Sequence, residues 1–346
     1  MSNLRIDELP ATVNPSAQHV FPAMRDGLAV KLTVDQVKTL IMAAVVDAAP
    51  ATLDTLNELA AALGDDPDFG ASTAAALANR VRVDAAQGLT DAQKRQARAN
   101  ILADTLPGHI WGLTTGNNAA DPTNDIDVAL GYAADVSNEV RLVLPAAMTK
   151  RLDAPWAAGS GNGGLDTGSI ADGTYFSHLI GKADGTTDVL LSASPTAPTM
   201  PSGYTFRRRI GSFIRSGGVI RPFYQIGDRF LYKTEIVDRT STAAADTALT
   251  MSVPTGIVVW PIFRQSQRQA TTGQAVTFFA DGVAGALKRP VVATTLVDHF
   301  AVAPVDGLFV TNTSAQLAIQ VSFSGGSLSS NSTETQGYID RRGRDA

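Results

Sequence analysis

The chain has no cysteine, which removes disulfides, thiolate metal sites and a cysteine nucleophile from consideration. Charged residues make up only 18% and the net charge is −5, so no global basic field exists to hold nucleic acid. Aromatic residues stand at 6%, few for one thick enzyme core. The longest apolar run, Leu40 to Val46, falls far short of the roughly 18 residues that a membrane-spanning helix needs. The start, Met1-Ser-Asn-Leu-Arg-Ile-Asp, lacks a charged segment followed by an apolar run, so no signal peptide is expected. What is abundant is Ala, Thr, Ser, Gly and Asp, a mixture suited to short turns and closely apposed backbones. At 346 residues, two or three domains are expected, with no cofactor, no nucleic-acid partner and no membrane insertion.

The pattern changes character near residue 106. Before it, the signals are helical and segmented. Asp26-Gly27 reads as the turn of a short β-hairpin leading into a helix. Thr33 with Gln36 forms a capping box, and Val34, Val37, Ile41, Ala44 and Ala48 follow with 3–4 spacing until Pro50. Thr52 opens a second helix carrying Leu53, Leu56, Ala60 and Leu63, stopped by Gly64 in the left-handed conformation. A third is expected over 72–83, with Ala74, Leu77 and Val81 on one face. Thr90 and Gln93 form another capping box and begin a fourth, ending near Ala103. Helices this short are marginal alone, and their stripes are narrow and Ala-rich. Burial against copies of themselves around a symmetry axis is the simplest solution. The expected oligomer contacts are therefore Val34, Val37, Ile41, Leu53, Leu56, Leu63, Leu77 and Val81.

From Pro107 the signals are β. Strand-like runs occur at 140–144, 175–180, 189–191, 229–237, 257–263, 276–279, 308–311 and 317–323. Asp-Gly or Gly-Gly pairs separate several of them, and 175–192 reads as a hairpin turning at Asp184-Gly185. The Ser/Thr/Ala-rich stretch 240–248 is the best internal boundary. Trp260, Phe263, Phe278, Phe279 and Phe300 are expected to pack the last sandwich. The resulting class is α+β and multidomain: coiled-coil-like helical connectors, then antiparallel β-sandwich domains, assembled as an elongated homotrimer. The boundaries fall at 1–40, 41–106, 107–240 and 241–346.

Chemical motifs are sparse. Gly159-x-Gly-x-x-Gly164 matches a dinucleotide fingerprint in letters, but Leu165-Asp-Thr-Gly-Ser169 is a poor helix opener, and that site needs a helix N-terminus for the pyrophosphate. It reads as a loop between strands. Asp121, Asp125 and Asp127 share one loop and are the best candidates for a cation, yet the EF-hand pattern fails for want of its Gly and its Glu. Carboxylates capping turn amides are the simpler reading. His19, His109, His178 and His299 stand singly. No nucleophile elbow or phosphate-binding loop occurs, no catalytic residue is assigned, and the chain is expected not to be an enzyme. The basic clusters are Arg207-Arg-Arg209 and Arg341-Arg342 with Arg344, read as ion-pairing edges or as attraction to an anionic glycan or neighbouring protein.

Three segments resemble known proteins. Ala49–Phe69, ending Leu-Gly-Asp-Asp-Pro-Asp-Phe, is similar to the connector that recurs in bacteriophage tail-fibre proteins. Leu89-Thr-Asp-Ala-Gln-Lys-Arg-Gln-Ala-Arg-Ala-Asn-Ile101 resembles the Leu-Thr-x-x-Gln-Lys-x-Gln-Ala-Arg-x-Asn-Ile linker of phage and prophage fibres, with Leu102 where Gly is usual. Leu4–Pro10 with Phe21–Gly27 and Val30–Val34 looks like a small N-terminal module of fibre and appendage proteins. Weaker likenesses lie at 150–168, 201–211 and 337–343. The resemblance implies a structural virion fibre, made in the host cytoplasm, fixed to other virion proteins by its N-terminus and serving host-surface adhesion. A collar or baseplate fibre without a receptor role, or a polysaccharide depolymerase, are the alternatives. No residue is assigned to receptor binding.

Overall fold

The computed structural model describes residues 16–46, 59, 61–64, 66–82, 85–101 and 106–344. The chain divides into two compact units, Met1–Gln87 and Gly88–Ala346.

In the first unit, β1 (Val20–Arg25) and β2 (Leu28–Thr33) form an antiparallel hairpin. Asp26 and Gly27 both take positive φ, 52° and 82°, the geometry of the tight primed turn that Asp-Gly favours. The capping box is present: the Gln36 amide N–H donates to Thr33 Oγ1 at 3.1 Å, and the Thr33 N–H donates to Gln36 Oε1 at 2.8 Å. From it runs α1 (Val34–Val46). Gly64 sits at φ +73° with its N–H on the Ala61 carbonyl, 3.0 Å away, as a left-handed stop requires. The third helix differs from expectation. α2 spans Phe69–Ala78, beginning earlier, with Asp68 at the N-cap position, and ending before Asn79, where the Asn79 N–H turns back to the Ala75 carbonyl and the Arg80 N–H to that of Leu77.

The second unit opens with α3 (Asp91–Asn100), started by the Thr90–Gln93 box with bonds of 2.9 and 3.2 Å. Among the described residues that follow, the regular structure is β, in four sheets. A three-stranded sheet takes β3 (Ile110–Gly112), β6 (Gly131–Ala134) and β7 (Arg141–Leu144) in the order β3-β6-β7. A mixed eight-stranded sheet takes β4 (Thr115–Asn117), β5 (Asp125–Val128), β8 (Met148–Pro155), β9 (Asn162–Leu165), β10 (Gly173–Gly181), β11 (Thr187–Ser192), β12 (Phe206–Ser216) and β13 (Val219–Ile220). Its order is β13-β12-β10-β11-β9-β8-β5-β4, and β9 runs parallel to both its neighbours. The Asp184-Gly185 turn joins β10 to β11 as expected.

The last two sheets face each other. The five-stranded one is ordered β14 (Phe223–Ile226), β15 (Arg229–Thr240), β22 (Leu328–Ile339), β17 (Trp260–Gln269), β20 (Phe300–Asp306). The four-stranded one is ordered β16 (Ala245–Thr250), β21 (Gln316–Ser324), β18 (Gln274–Ala280), β19 (Arg289–Thr294). Residue 240 ends β15, which is hydrogen-bonded to the final strand β22. The expected boundary at 240–248 thus falls between strands of facing sheets, not between independent bodies. The run at 308–311 is no strand, because the backbone there crosses to Asp281, Gly282 and Val259 instead of forming a ladder.

The main hydrophobic core runs through the second unit, from Ile110 to Tyr338, beside a small separate cluster of Ile180, Leu190 and Tyr204. At the sandwich centre Phe263, Phe279 and Phe309 meet, the first two with ring centroids 4.9 Å apart. Of the expected set only Phe263 and Phe279 join the core, with Phe309 added; Trp260 and Phe278 are half-buried outside it, and Phe300 lies on the edge strand β20 and is 55% exposed. Further along, the core becomes polar. Gln265, Gln267, Gln269, Thr277, Thr294 and Thr333 are all fully buried. Thr277 Oγ1 donates to Gln267 Oε1 at 2.8 Å, Gln267 Nε2 donates to Thr294 Oγ1 at 2.7 Å, and Thr294 Oγ1 donates to Gln269 Oε1 at 2.8 Å. Each of these hydroxyls and amides is oriented by the next, and Asn331 Nδ2 is the buried group of this network left without a partner.

Candidate functional site

The two arginine clusters are more than 130 positions apart in the sequence, and the fold brings them to one place. β12 carries Arg207 to Arg209 beside β10, with Arg209 opposite His178 and Arg207 opposite Ile180 in the antiparallel register. After β22, the segment 340–344 returns across this face. A pocket of about 440 Å³ opens there, lined by His178, Arg207, Arg209, Trp260, Asp340 and Arg341, with Pro195, Ile257 and Val258 as apolar wall. That volume is within the usual size of small-molecule sites.

Part of the charge is structural. Asp340 Oδ2 accepts from Arg209 Nη1 and from Ser212 Oγ, each at 2.6 Å, while Oδ1 accepts the Arg342 amide at 2.8 Å. Tyr338 adds a hydroxyl bond of 2.7 Å to the Ser212 carbonyl. Arg342 is buried and reaches Asp228 Oδ1 at 3.0 Å, and Arg344 pairs with the same carboxylate. These contacts clasp the 338–344 segment onto β12 and the β14–β15 turn. Removing one member of such a desolvated pair leaves the other buried and uncompensated.

Other groups in the pocket wall are not spent on the clasp. Arg207 donates only from Nη2, to the Thr196 carbonyl at 2.9 Å. Arg208 is 2% exposed and makes no ion pair; its Nη1 is 3.5 Å from the Asp135 carbonyl, and Nε and Nη2 have no partner. Burial pushes the Arg208 pKa down, and the nearby Arg209 and Arg344 charges add to this against Asp135. His178 is buried, with Nε2 3.1 Å from the Ser194 carbonyl and Nδ1 unpartnered. Desolvation first, then the Arg209 and Arg207 charges, lowers its pKa to about 3 against the Ser194 bond. At neutral pH it is an uncharged imidazole, with Nε2 donating and Nδ1 presenting a lone pair.

The remaining sequence candidates behave differently. Asp121 Oδ1 accepts from the Thr123 and Asn124 amides, and Asp127 Oδ1 accepts from Asn118 and Thr149. Asp125 has its pKa raised by burial and by the neighbouring Asp121, Asp153 and Asp127 charges, against Arg151. Among the described residues, no group of three or more His, Asp or Glu is arranged to hold a metal. In the Gly159–Gly164 motif the first three residues form a turn and the rest lie within strand β9, and the turn covers a buried ion pair. Lys150 Nζ lies 2.7 Å from Asp188 Oδ1 and donates to the Ala157 and Gly159 carbonyls, 2.7 and 3.0 Å away. Asp188 Oδ2 accepts the Gly159 amide at 2.7 Å. Of the expected oligomer contacts, Val34 and Val37 are half-buried, while Ile41, Leu63, Leu77 and Val81 are exposed in the single chain. Leu53 and Leu56 lie outside the described residues. No helix among the described residues is long and apolar enough to cross a membrane.

The pocket was only half visible in the sequence. The Arg triplets marked themselves, but His178, Trp260 and Asp340 carried no local signal, and the register of β10 against β12 alone joins them.

No family model and no curated protein matches the chain. Among solved structures, a chain from infectious bursal disease virus Gx strain aligns over 70% of this chain and 76% of its own, at 13% identity and a TM-score of 0.18. One from the VP2 subviral particle of infectious bursal disease virus aligns over 67% and 70%, at 16% identity and a TM-score of 0.18. At that score the backbones do not superpose as a common fold.

Proposed function

We propose that the chain is a structural subunit of a tailed-bacteriophage virion: a homotrimeric fibre or appendage fixed through residues 1–40, joined by helical connectors over 41–106, and presenting its β unit for host-surface adhesion. The work is binding, without bond-making, and repeated copies raise avidity where single contacts are weak. The reading is supported by the connector wording of Leu63–Phe69 and of Leu89–Ile101. The observation that carries it is the state of the N-terminal unit. Ile41 and Leu77 are 58% and 56% exposed, and Leu63 and Val81 are exposed beside them. Ile41 and Leu77 lie in short helices, Leu63 and Val81 lie past helix ends, and exposed apolar side chains so placed gain stability by packing against copies of themselves.

Light scattering on the full-length protein is expected to give about three times 36.2 kDa. Substituting Ile41→Glu with Leu77→Glu should shift the mass toward one chain while the β unit keeps its thermal transition. A wild-type protein that is monomeric at micromolar concentration would overturn the assembly argument. Incubated with host capsule or lipopolysaccharide, the protein should release no oligosaccharide; turnover would replace this reading with a depolymerase.

A further inference from the structure

The pocket between β12, the 256–260 segment and the 340–343 segment holds one arginine, Arg207, that the clasp does not use. Arg207, Arg209 and Arg341 line it with a single carboxylate, Asp340, and that carboxylate already accepts from Arg209, Ser212 and the Arg342 amide. A guanidinium has five donors. Arg207 commits one nitrogen, to Thr196, and Arg209 one, to Asp340. Ordinary structural pairing accounts for Arg209, Arg342 and Arg344. It does not account for Arg207, which faces the same pocket with no acid beside it, nor for the buried unpartnered Nδ1 of His178.

We propose that this pocket binds a small organic anion: a carboxylate or phosphate held by the Arg207 and Arg209 guanidiniums, carried on a hydroxylated ring that lies against Trp260 and Ile257. Each part of the ligand answers a feature of the wall. The fork of an arginine matches a carboxylate or phosphate and gives its strongest hydrogen bonds to such groups. The uncharged imidazole of His178 offers a buried acceptor for a hydroxyl, because Nε2 is engaged by Ser194. Trp260 and Ile257 supply an aromatic and aliphatic surface for the apolar face of a ring. A sugar acid or a sugar phosphate has all three properties. The assignment stands on the pocket alone and not on the virion reading, so either can fail without the other.

The test is titration calorimetry on the full-length protein with four probes: glucuronate, glucose 1-phosphate, glucose and inorganic phosphate. Saturable binding of glucuronate or of glucose 1-phosphate is expected, in the millimolar range or tighter, weakening as salt rises. Preference between those two identifies the source of the anion as carboxylate or phosphate, and either supports the site. Arg207→Gln should weaken binding about tenfold or more, since it removes a charge-assisted contact, and Arg341→Gln, at an exposed position on the same wall, tests the same field. Both variants are checked for an unchanged thermal transition. Glucose binding as tightly as glucuronate, inorganic phosphate binding as tightly as the sugar phosphate, no saturable binding at all, or binding unaltered in both variants would each overturn the proposal.

Discussion

Lys150→Met is the substitution that most severely tests how the Gly-rich loop is held. Lys150 is completely buried, and its three ammonium hydrogens are matched by Asp188 Oδ1 and by the Ala157 and Gly159 carbonyls. Burial pulls the Lys150 pKa down, and the Asp188 hydrogen bond and charge pull it back up, which is the signature of an ion held only by its partners. Methionine fills similar volume but leaves the Asp188 carboxylate uncompensated and two carbonyls without a donor. Breaking one side of a buried pair costs about 3–5 kcal/mol. For a body of this size, that lowers the melting temperature by roughly 6–20 °C. Trp156 is a local reporter, its Nε1 donating to the Val189 carbonyl at 3.0 Å and its ring 5.3 Å from Lys150 Nζ. Urea unfolding followed by tryptophan fluorescence measures the loss. Adding Asp188→Asn to Lys150→Met should recover part of it, because the buried charge is gone while a carbonyl remains for the Gly159 amide. A loss below about 1 kcal/mol in the single variant would refute the reasoning, since it would mean that the pair is not holding the loop.

Acid should expose His178. Its pKa is about 3 in the fold against 6.5 ordinarily, so below pH 6.5 the unfolded chain takes up a proton that the folded chain refuses. Stability from this group is intact above pH 6.5 and lost progressively toward pH 3, by about 5 kcal/mol in all; His178→Gln should flatten that part of the pH profile in chemical denaturation. Thr277→Val keeps shape but leaves the buried Gln267 Oε1 without its donor, and should cost about 1–3 kcal/mol by the same assay; a neutral result would show that the polar core is not cooperatively satisfied. Gly163→Ala places a Cβ 1.9 Å from the Pro155 carbonyl oxygen and 2.7 Å from that of Ala154. Backbone must move there, so a loss of about 1–3 kcal/mol or more is expected from thermal unfolding.

Local chemistry was legible and long-range pairing was not. Asp26-Gly27, Asp184-Gly185 and the Thr33 and Thr90 capping boxes each encode their geometry within four residues, and each forms in the structure. The strand 328–339 carries no such signal. Its Ser, Thr, Asn and Gln side chains show no apolar alternation, yet it is central in the five-stranded sheet, between β15 and β17. The reason lies in the core it faces: Asn331 and Thr333 bond Gln265, so polar residues occupy positions where the usual rule expects apolar ones. Alternation of hydrophobicity cannot reveal a strand whose buried face is polar. The arginine pocket was hidden for a related cause. Its walls come from β10, β12, the 256–260 segment and the 340–343 segment, and no spacing along the chain joins them.

The central claim is that this chain is an external virion subunit. Immunogold electron microscopy tests it most directly, using antibody raised to residues 241–346 on particles purified from the producing host. Gold is expected on the particle surface at the tips of tail-borne projections. Label confined to the collar would contradict the adhesion role, and unlabelled particles, with the protein left in the soluble lysate, would contradict the claim itself.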